Sequence, residues 1–452
     1  MHGAKGDSVN RPAYPKYKPS GVDWLGEVPE HWEVKRLKMA AALVDKKTEA
    51  EEESPLPYIG LENVESWTGK LLPISEDVVP SGMANLFAAG NTLFGKLRPY
   101  LAKACNPTFD GLCSTELLVL QGREIDRRFL LFFLLSDGFI KQVDASTYGS
   151  KMPRANWDFI GNSRVPLPPL PEQRVIADFL DRETGRIDTL VGKKRELIVR
   201  LKERRAALIT RAVTRGLDPA AKLKDSGVEW LGMVPQGWEV KRVKHVVATL
   251  VQGWSPQCES YPVDGPEEWG VLKVGCVNGG AFNPGENKRL PPELEPMPEL
   301  GIREGDLLIS RANTRDLVGS AAVACENYPN LMLCDKLYRL RLRSRLCTPR
   351  FLADYLGIRM VRGQIELDAT GASDSMQNIG QSTILELTIA LPPLAEQRAI
   401  ADHLDRETGK LDRLTASVEA AIERLQEYRA ALITAAVTGK IDVREAPAKE
   451  AA

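Results

Sequence analysis

The chain has 452 residues, 43% of them hydrophobic and 27% charged, with 60 Lys and Arg against 61 Asp and Glu for a formal net charge of −1. That length allows roughly two to four domains of about 100–200 residues, each with enough apolar content for a packed core. The balanced charge excludes a chain that grips nucleic acid by bulk positive charge, so any basic surface must be local.

Residues 1–19 contain no apolar signal core and read as a disordered leader. No run of about 18 apolar residues occurs anywhere, so no membrane segment is expected and the protein is read as soluble and cytoplasmic. The seven cysteines include no CxxC pair and only four histidines are present, which removes zinc spacing and leaves buried thiols in a reducing compartment.

Ser20–Lys38 reads SGVDWLGEVPEHWEVKRLK, and Ser226–Lys244 reads SGVEWLGMVPQGWEVKRVK, identical at 14 of 19 positions. Leu167–Leu190 and Leu391–Leu414 (LPPLPEQRVIADFLDRETGRIDTL and LPPLAEQRAIADHLDRETGKLDRL) match at 18 of 24. The front flanks are offset by 206 residues and the back flanks by 224, so the second insert is 18 residues longer than the first. A repeated frame that holds two dissimilar inserts sets the architecture before any single motif does.

In the first insert, Asn91–Phe94 and Leu117–Leu120 read as strands, as do Asp306–Ile309 and Leu337–Leu342 in the second. Arg127–Leu135 and Pro349–Leu356 read as one short buried helix per insert.

Each back flank then opens a long helix. Pro171 and Pro392–Pro393 stop the preceding strand, and Glu172 and Glu396 suit a helix N-terminus. Apolar or stem-bearing residues recur at steps of four and three: Ile176, Leu180, Glu183, Ile187, Leu190, Lys194, Leu197, Leu201, Arg204 and Leu208. The second copy follows at Ile400, Leu404, Glu407, Leu411, Leu414, Val418, Ala421, Leu425, Tyr428 and Leu432. This is a heptad seam, with Glu183, Lys194, Arg204 and Glu407 as polar positions that would fix register. A helix over 172–214 would be on the order of 65 Å long, so the two copies are expected to pair antiparallel with one insert at each end. The expected division is therefore a recognition unit at 20–166, a spacer helix at 167–216 and a linker at 217–225. A second unit at 226–390, a second spacer helix at 391–440 and a disordered tail at 441–452 complete it.

Catalytic motifs are missing. Gly90–Lys96 (GNTLFGK) imitates a phosphate loop but fails at Leu97, where a hydroxyl is required. No adenosylmethionine glycine loop, Asn/Asp-Pro-Pro-aromatic tetrapeptide, HExxH or GxSxG is present. The inserts instead offer polar, turn-rich clusters. Lys96, Arg98 and Tyr100 follow a strand in the first, and Lys151, Arg154 and Asn156 lie near its end. Arg311, Asn313 and Arg315, then Ser373, Ser375, Gln377 and Asn378, occupy the equivalent places in the second. Arg suits guanine and Asn or Gln suits adenine in the major groove, while Lys and Ser suit phosphate. The first long helix is also basic in its second half, from Lys193 to Arg215.

The flanks PLPPLPEQRVIADFLD and LPPLAEQRAIADHLD, each preceded by SGV(D/E)WLG…WEVKR, resemble the specificity subunit of type I restriction–modification systems over about residues 17–443. The resemblance implies an α+β chain: two mixed α/β target recognition domains separated by two long helices in an antiparallel coiled coil. It implies that each domain reads one half of a bipartite, asymmetric double-stranded DNA target. The seam residues would set the spacing and dock two methyltransferase subunits, with up to two restriction subunits joining a complex that holds one copy of this chain. Catalysis and cofactors (S-adenosylmethionine, ATP and Mg) would belong to those partners, and this chain would bind none. Trp24, Trp32, Pro169, Glu172 and Gln173, with Trp230, Trp238, Pro393, Glu396 and Gln397, carry the family motif and are implied to be structural and docking features, not base readers. A coiled-coil scaffold with two protein-binding inserts is the alternative; dissimilar inserts with Arg- and Asn-bearing loops disfavour it.

Overall fold

The computed structural model describes residues 12–50, 56–74, 82–149, 151–373 and 376–444, without the side chains of Ala50, Ala372 and Ser373. The chain packs into two compact units, Met1–Arg195 with Val418–Ala452, and Glu196–Ser417. The division cuts both long helices, Leu170–Arg215 and Leu394–Val437, so each unit owns half of each.

In the first unit, strand Glu33–Arg36 pairs antiparallel with Arg164–Leu167 and closes the frame around the insert. Two four-stranded sheets fill the insert. One orders Lys47–Ala50, Gly82–Phe87, Gly111–Ser114 and Tyr58–Ile59; the other orders Ala41–Leu43, Leu117–Gly122, Thr92–Gly95 and Ala104–Cys105. The apolar run at Leu117–Leu120 is continuous because its alternate residues serve two cores. Leu118 and Leu120 join the cluster of Phe94, Phe129 and Phe133, while Leu117 and Val119 join that of Leu93 and Ile59. The second unit repeats the device: Leu307, Ile309, Tyr338 and Leu340 face one core, Leu308 and Leu337 the other.

The short helices form at Arg127–Leu134 and Pro349–Leu356, capped by the Asp126 carboxylate and the Thr348 hydroxyl. Each insert carries two further helices, Asp137–Ala145 and Trp157–Asn162 in the first, Arg359–Asp368 and Gln381–Leu385 in the second. Helices this short are marginal in isolation; burial of Phe139, Ile140 and Val143 holds the longer first-insert one.

The leader and tail depart from expectation. Tyr17–Pro19 pairs antiparallel with Glu27–Pro29, and Tyr14 is buried, so residues 12–19 are ordered. At the other end Ile441 and Val443 are buried, and the Asp442 amide donates to the Pro12 carbonyl at 2.7 Å. Residues 1–11 and 445–452 lie outside the described residues. The stretch expected to be a linker contains strand Leu223–Asp225, which pairs with Met233–Pro235 as Tyr17–Pro19 pairs with Glu27–Pro29. It is thus the second copy of the leader, and its backbone hydrogen bonds explain its order.

In the first unit the N-terminal half of one long helix packs on the C-terminal half of the other, which makes the pair antiparallel. One line of the expected seam is correct: Leu180, Ile187, Leu201, Leu404, Val418 and Leu432 are buried, and Leu208, Leu411 and Leu425 are half-buried. Ile176 and Ile400 are buried as well. The other line is shifted by one residue. Leu190, Leu197, Leu414 and Tyr428 are 43, 40, 47 and 41% exposed. One position further on, Thr184, Val191 and Ala212 are buried and Ile198 and Arg205 half-buried, and at the matching places Thr408, Arg429 and Ala436 are buried and Thr415 and Ile422 half-buried. Both choices keep a seven-residue period, and Leu is the more apolar residue, so pattern alone favours the wrong one. Packing selects small or β-branched side chains at most of these positions, and an arginine at Arg205 and Arg429. Nor do Glu183 and Glu407 bridge the helices; they pair along their own, with Arg182, Arg186 and Lys410. The cross-helix ion pairs are Arg429–Asp188 at 3.0 Å in the first unit and Arg205–Asp412 at 3.1 Å in the second. Both partners differ by 224 residues between units, so this is one pair in two copies.

Candidate nucleic-acid interface

The motif residues of the frame hold each domain to its helix. Gln173 and Gln397 are fully buried and make the same three hydrogen bonds. The Gln173 side-chain oxygen accepts from the Asp126 amide at 2.7 Å, and its nitrogen donates to the carbonyls of Glu124 and Pro168. Gln397 accepts from the Thr348 amide at 2.9 Å and donates to the carbonyls of Leu346 and Pro392. Both indoles, Trp32 and Trp238, donate to the adjoining glutamate, Glu172 and Glu396, at 3.1 Å. Glu172 also accepts from the Tyr14 hydroxyl at 2.8 Å; burial, then that carboxylate, pushes the phenol well above its ordinary range. Arg128 and Arg350 repeat one more contact, donating to Asp181 and Asp405 on the long helices. Sequence comparison of the flanks misses it because both arginines lie within the inserts.

This frame brings the two polar clusters of each insert together. In the first domain the Ala155 amide donates to the Lys96 carbonyl at 2.9 Å, the Arg98 amide donates to the Pro153 carbonyl at 2.7 Å, and Leu97 bridges Arg154. Arg98 is exposed at the start of a tight turn, Pro99–Leu101, with φ at +50°. Tyr100 on that turn is 45% exposed, Lys151 is exposed and Lys96 half-buried. The other two have work inside the protein. Arg154 forms an ion pair with Glu116 at 3.1 Å, a hydrogen-bonded partner that holds the guanidinium above its ordinary pKa. The Asn156 oxygen caps helix Trp157–Asn162 by accepting from the Phe159 amide at 2.8 Å. Beside them opens a cleft of about 460 Å³ lined by Lys47, Asn85, Lys96, Tyr148, Asn156 and Trp157. Lys47 and Tyr148 were not apparent from sequence, since a sheet strand carries Lys47 to the cleft and an isolated bridge to Arg154 carries Tyr148.

In the second domain the two clusters form one small sheet. Ala312–Asn313 pairs with Met376–Asn378, which pairs in turn with Thr370–Ser373; Ala312 faces Asn378 and Asn313 faces Gln377. Arg311, Gln377 and Asn378 are half-buried and Arg315 is exposed. The Arg311 guanidinium reaches the Asp335 carbonyl at 3.4 Å. The Asn313 amide donates to Asn278 at 3.3 Å, which adds the Val274–Gly280 loop to the cluster. Ser373 ends the strand Thr370–Ser373, and Ser375 lies outside the described residues. On the first long helix Arg200, Lys202, Arg204, Arg211 and Arg215 are exposed along the half within the second unit. Among the described residues no group of three His, Cys, Asp or Glu side chains is placed to hold a metal, and no helix is long and apolar enough to cross a membrane.

Residues 29–198 match the type I restriction modification DNA specificity domain. The type I restriction enzyme EcoEI specificity subunit of Escherichia coli is 27% identical over 54% of this chain and 40% of its own length. The MjaVIII specificity subunit of Methanocaldococcus jannaschii is 24% identical over 92% of this chain and 94% of its own. A chain solved in work on complex assembly and conformational transition of the type I R-M system shares the fold, with a TM-score of 0.69 at 22% identity over 91% of this chain and 98% of that one. Residues 29–198 thus match a type I restriction modification DNA specificity domain, and over most of its length the chain is similar in sequence and in fold to type I specificity subunits. The chain has two mixed α/β domains in a repeated frame with two long helices, and its flank motifs form the hydrogen bonds that join them. The match to EcoEI spans less than half of that relative's length.

Proposed function

We propose that this chain is the specificity subunit of a type I restriction–modification system, carries no catalysis and directs the complex to DNA. Each domain reads one half of a bipartite, asymmetric duplex target, the first through the Lys96–Tyr100 and Lys151–Asn156 segments, the second through Arg311–Arg315 and Thr370–Asn378. One observation carries the reading: clusters far apart in sequence converge at equivalent places in both domains, with different side chains in a common frame. A duplicated frame with unlike readers suits a target whose halves differ. The long helices set the gap and dock two methyltransferase subunits, for which the exposed twins Leu190 and Leu414 offer equivalent apolar positions. S-adenosylmethionine resides on those subunits, ATP and Mg on up to two restriction subunits, in a cytoplasmic complex with one copy of this chain.

The test is to map modified adenines in cells with and without this gene, then assay the purified complex on the deduced duplex. Arg98→Ala should relax base preference in one half-site and Arg311→Ala in the other, each by about 1–3 kcal/mol of discrimination. Methylation without bipartite preference, or loss of both half-sites from either single substitution, would refute the two-reader reading.

A further inference from the structure

The first unit contains a polar connection from the long helices to the turn that bears Arg98 and Tyr100. Arg429, on the second long helix, is 7% exposed, and its guanidinium makes three bonds. Its Nε donates to Asp188 at 3.0 Å, and its two terminal nitrogens donate to the carbonyls of Trp67 and Thr68 at 2.8 and 3.0 Å. Lys70, at the end of the same loop, pairs with the other Asp188 oxygen at 2.8 Å. The Trp67 amide then donates to the Ala102 carbonyl at 3.1 Å, and the Ala102 amide closes the turn on Pro99 at 2.8 Å.

Two features mark this path as built. Among the described residues the non-glycine positions with positive φ are Trp67, Arg98 and Ala102, at +65°, +50° and +45°, and all three lie on it. Such backbone is costly for residues with a Cβ and persists where surrounding contacts over-determine it. The loop also overhangs a cavity of about 730 Å³ lined by Trp67, Thr68, Asp188, Val191, Arg195 and Arg429. Beside the packing of Trp67 on the first core, these hydrogen bonds and the Asp188 ion pairs tie this part of the loop to the helices. The twin Arg205 pairs with Asp412 with both side chains largely exposed, at 40 and 57%.

We infer that Arg429 is a positioning residue: it holds the Arg98–Tyr100 turn in register with the helical pair, so that where the first half-site is read is set from the long helices. This rests on the two-reader reading. The planar fork is essential, because a lysine can keep the charge pair with Asp188 but cannot hold two carbonyls and a carboxylate in one plane.

The experiment uses the full chain with its modification subunits. Methyl transfer is measured on the mapped target with its native gap and with the gap changed by one base pair, for Arg429→Lys, Arg429→Ala and Arg205→Lys. Both Arg429 variants should lose preference for the native gap by about tenfold, a coupling of roughly 1.4 kcal/mol. They should keep the wild-type base preference in the second half-site, and Arg205→Lys should keep the gap preference. A merely structural role would lower the melting temperature and leave the gap ratio unchanged. If Arg429→Ala does not fold, Arg429→Lys carries the test. A folded Arg429→Lys complex with wild-type gap preference overturns this inference alone, as does an equal loss in Arg205→Lys. A wild-type complex indifferent to the gap overturns the two-reader reading and this inference with it.

Discussion

At the scale of single residues, the motif glutamines show how a short sequence signature becomes structure. Gln397 has no solvent exposure and uses both ends of its amide, one acceptor and two donor bonds, to hold a domain helix cap and the strand end before the long helix. Gln397→Glu keeps the shape but turns the donor into an acceptor facing two carbonyls. It should cost about 3–5 kcal/mol at neutral pH, more than Gln397→Ala, because a buried charge is left without a partner. Burial raises the folded-state pKa of the acid above its unfolded value of about 4.3, so the penalty should shrink as pH falls from neutral toward that value and the acid regains a proton it can donate. Denaturant unfolding at two pH values checks this, and a neutral-pH loss under about 1 kcal/mol would refute the latch. Sequence marked Glu172, Gln173, Glu396 and Gln397 as structural. It could not name their partners, which lie about 50 residues away for the glutamines and about 140–160 for the glutamates.

At the scale of elements, the long helices were legible in length and heptad period but only half legible in orientation. Leu180, Ile187 and Leu201 face inward as their pattern implies, whereas Leu190 and Leu197 face out and Val191 takes the inner place. Val191→Ser should therefore cost about 1–3 kcal/mol, and Leu190→Ser less than about 0.5. The exposed substitution should instead weaken retention of a modification subunit. Thermal melts and co-purification separate the two effects; equal destabilisation would return Leu190 to the seam. The helix Gln381–Leu385 has a related reason for being illegible in the sequence, since five residues carry too little periodicity to declare a face.

At the scale of the whole molecule, the proposed use of the long helices as a spacer has a geometric consequence. Deleting one heptad from both helices in register shortens them by about 10 Å, which corresponds to about three base pairs at 3.4 Å each. The complex should then prefer a gap shortened by that amount, read out by methylation of a series of duplexes. An unchanged gap would mean that the helices hold partners and do not measure DNA.

The sequence by itself determined the repeat, the two-part frame, the helix period and the strands at the centre of each insert. These depend on short-range identity and on the alternation of apolar residues, both of which a linear chain displays. Tertiary structure alone decided which heptad line is buried and that the leader and linker are twin strands. It also decided that Arg154 and Asn156 serve the fold while Lys47 and Tyr148 reach the cleft. The Arg429 path to the Arg98 turn was hidden for the same physical reason. It joins residues more than 300 positions apart through backbone carbonyls, which have no letter in a sequence.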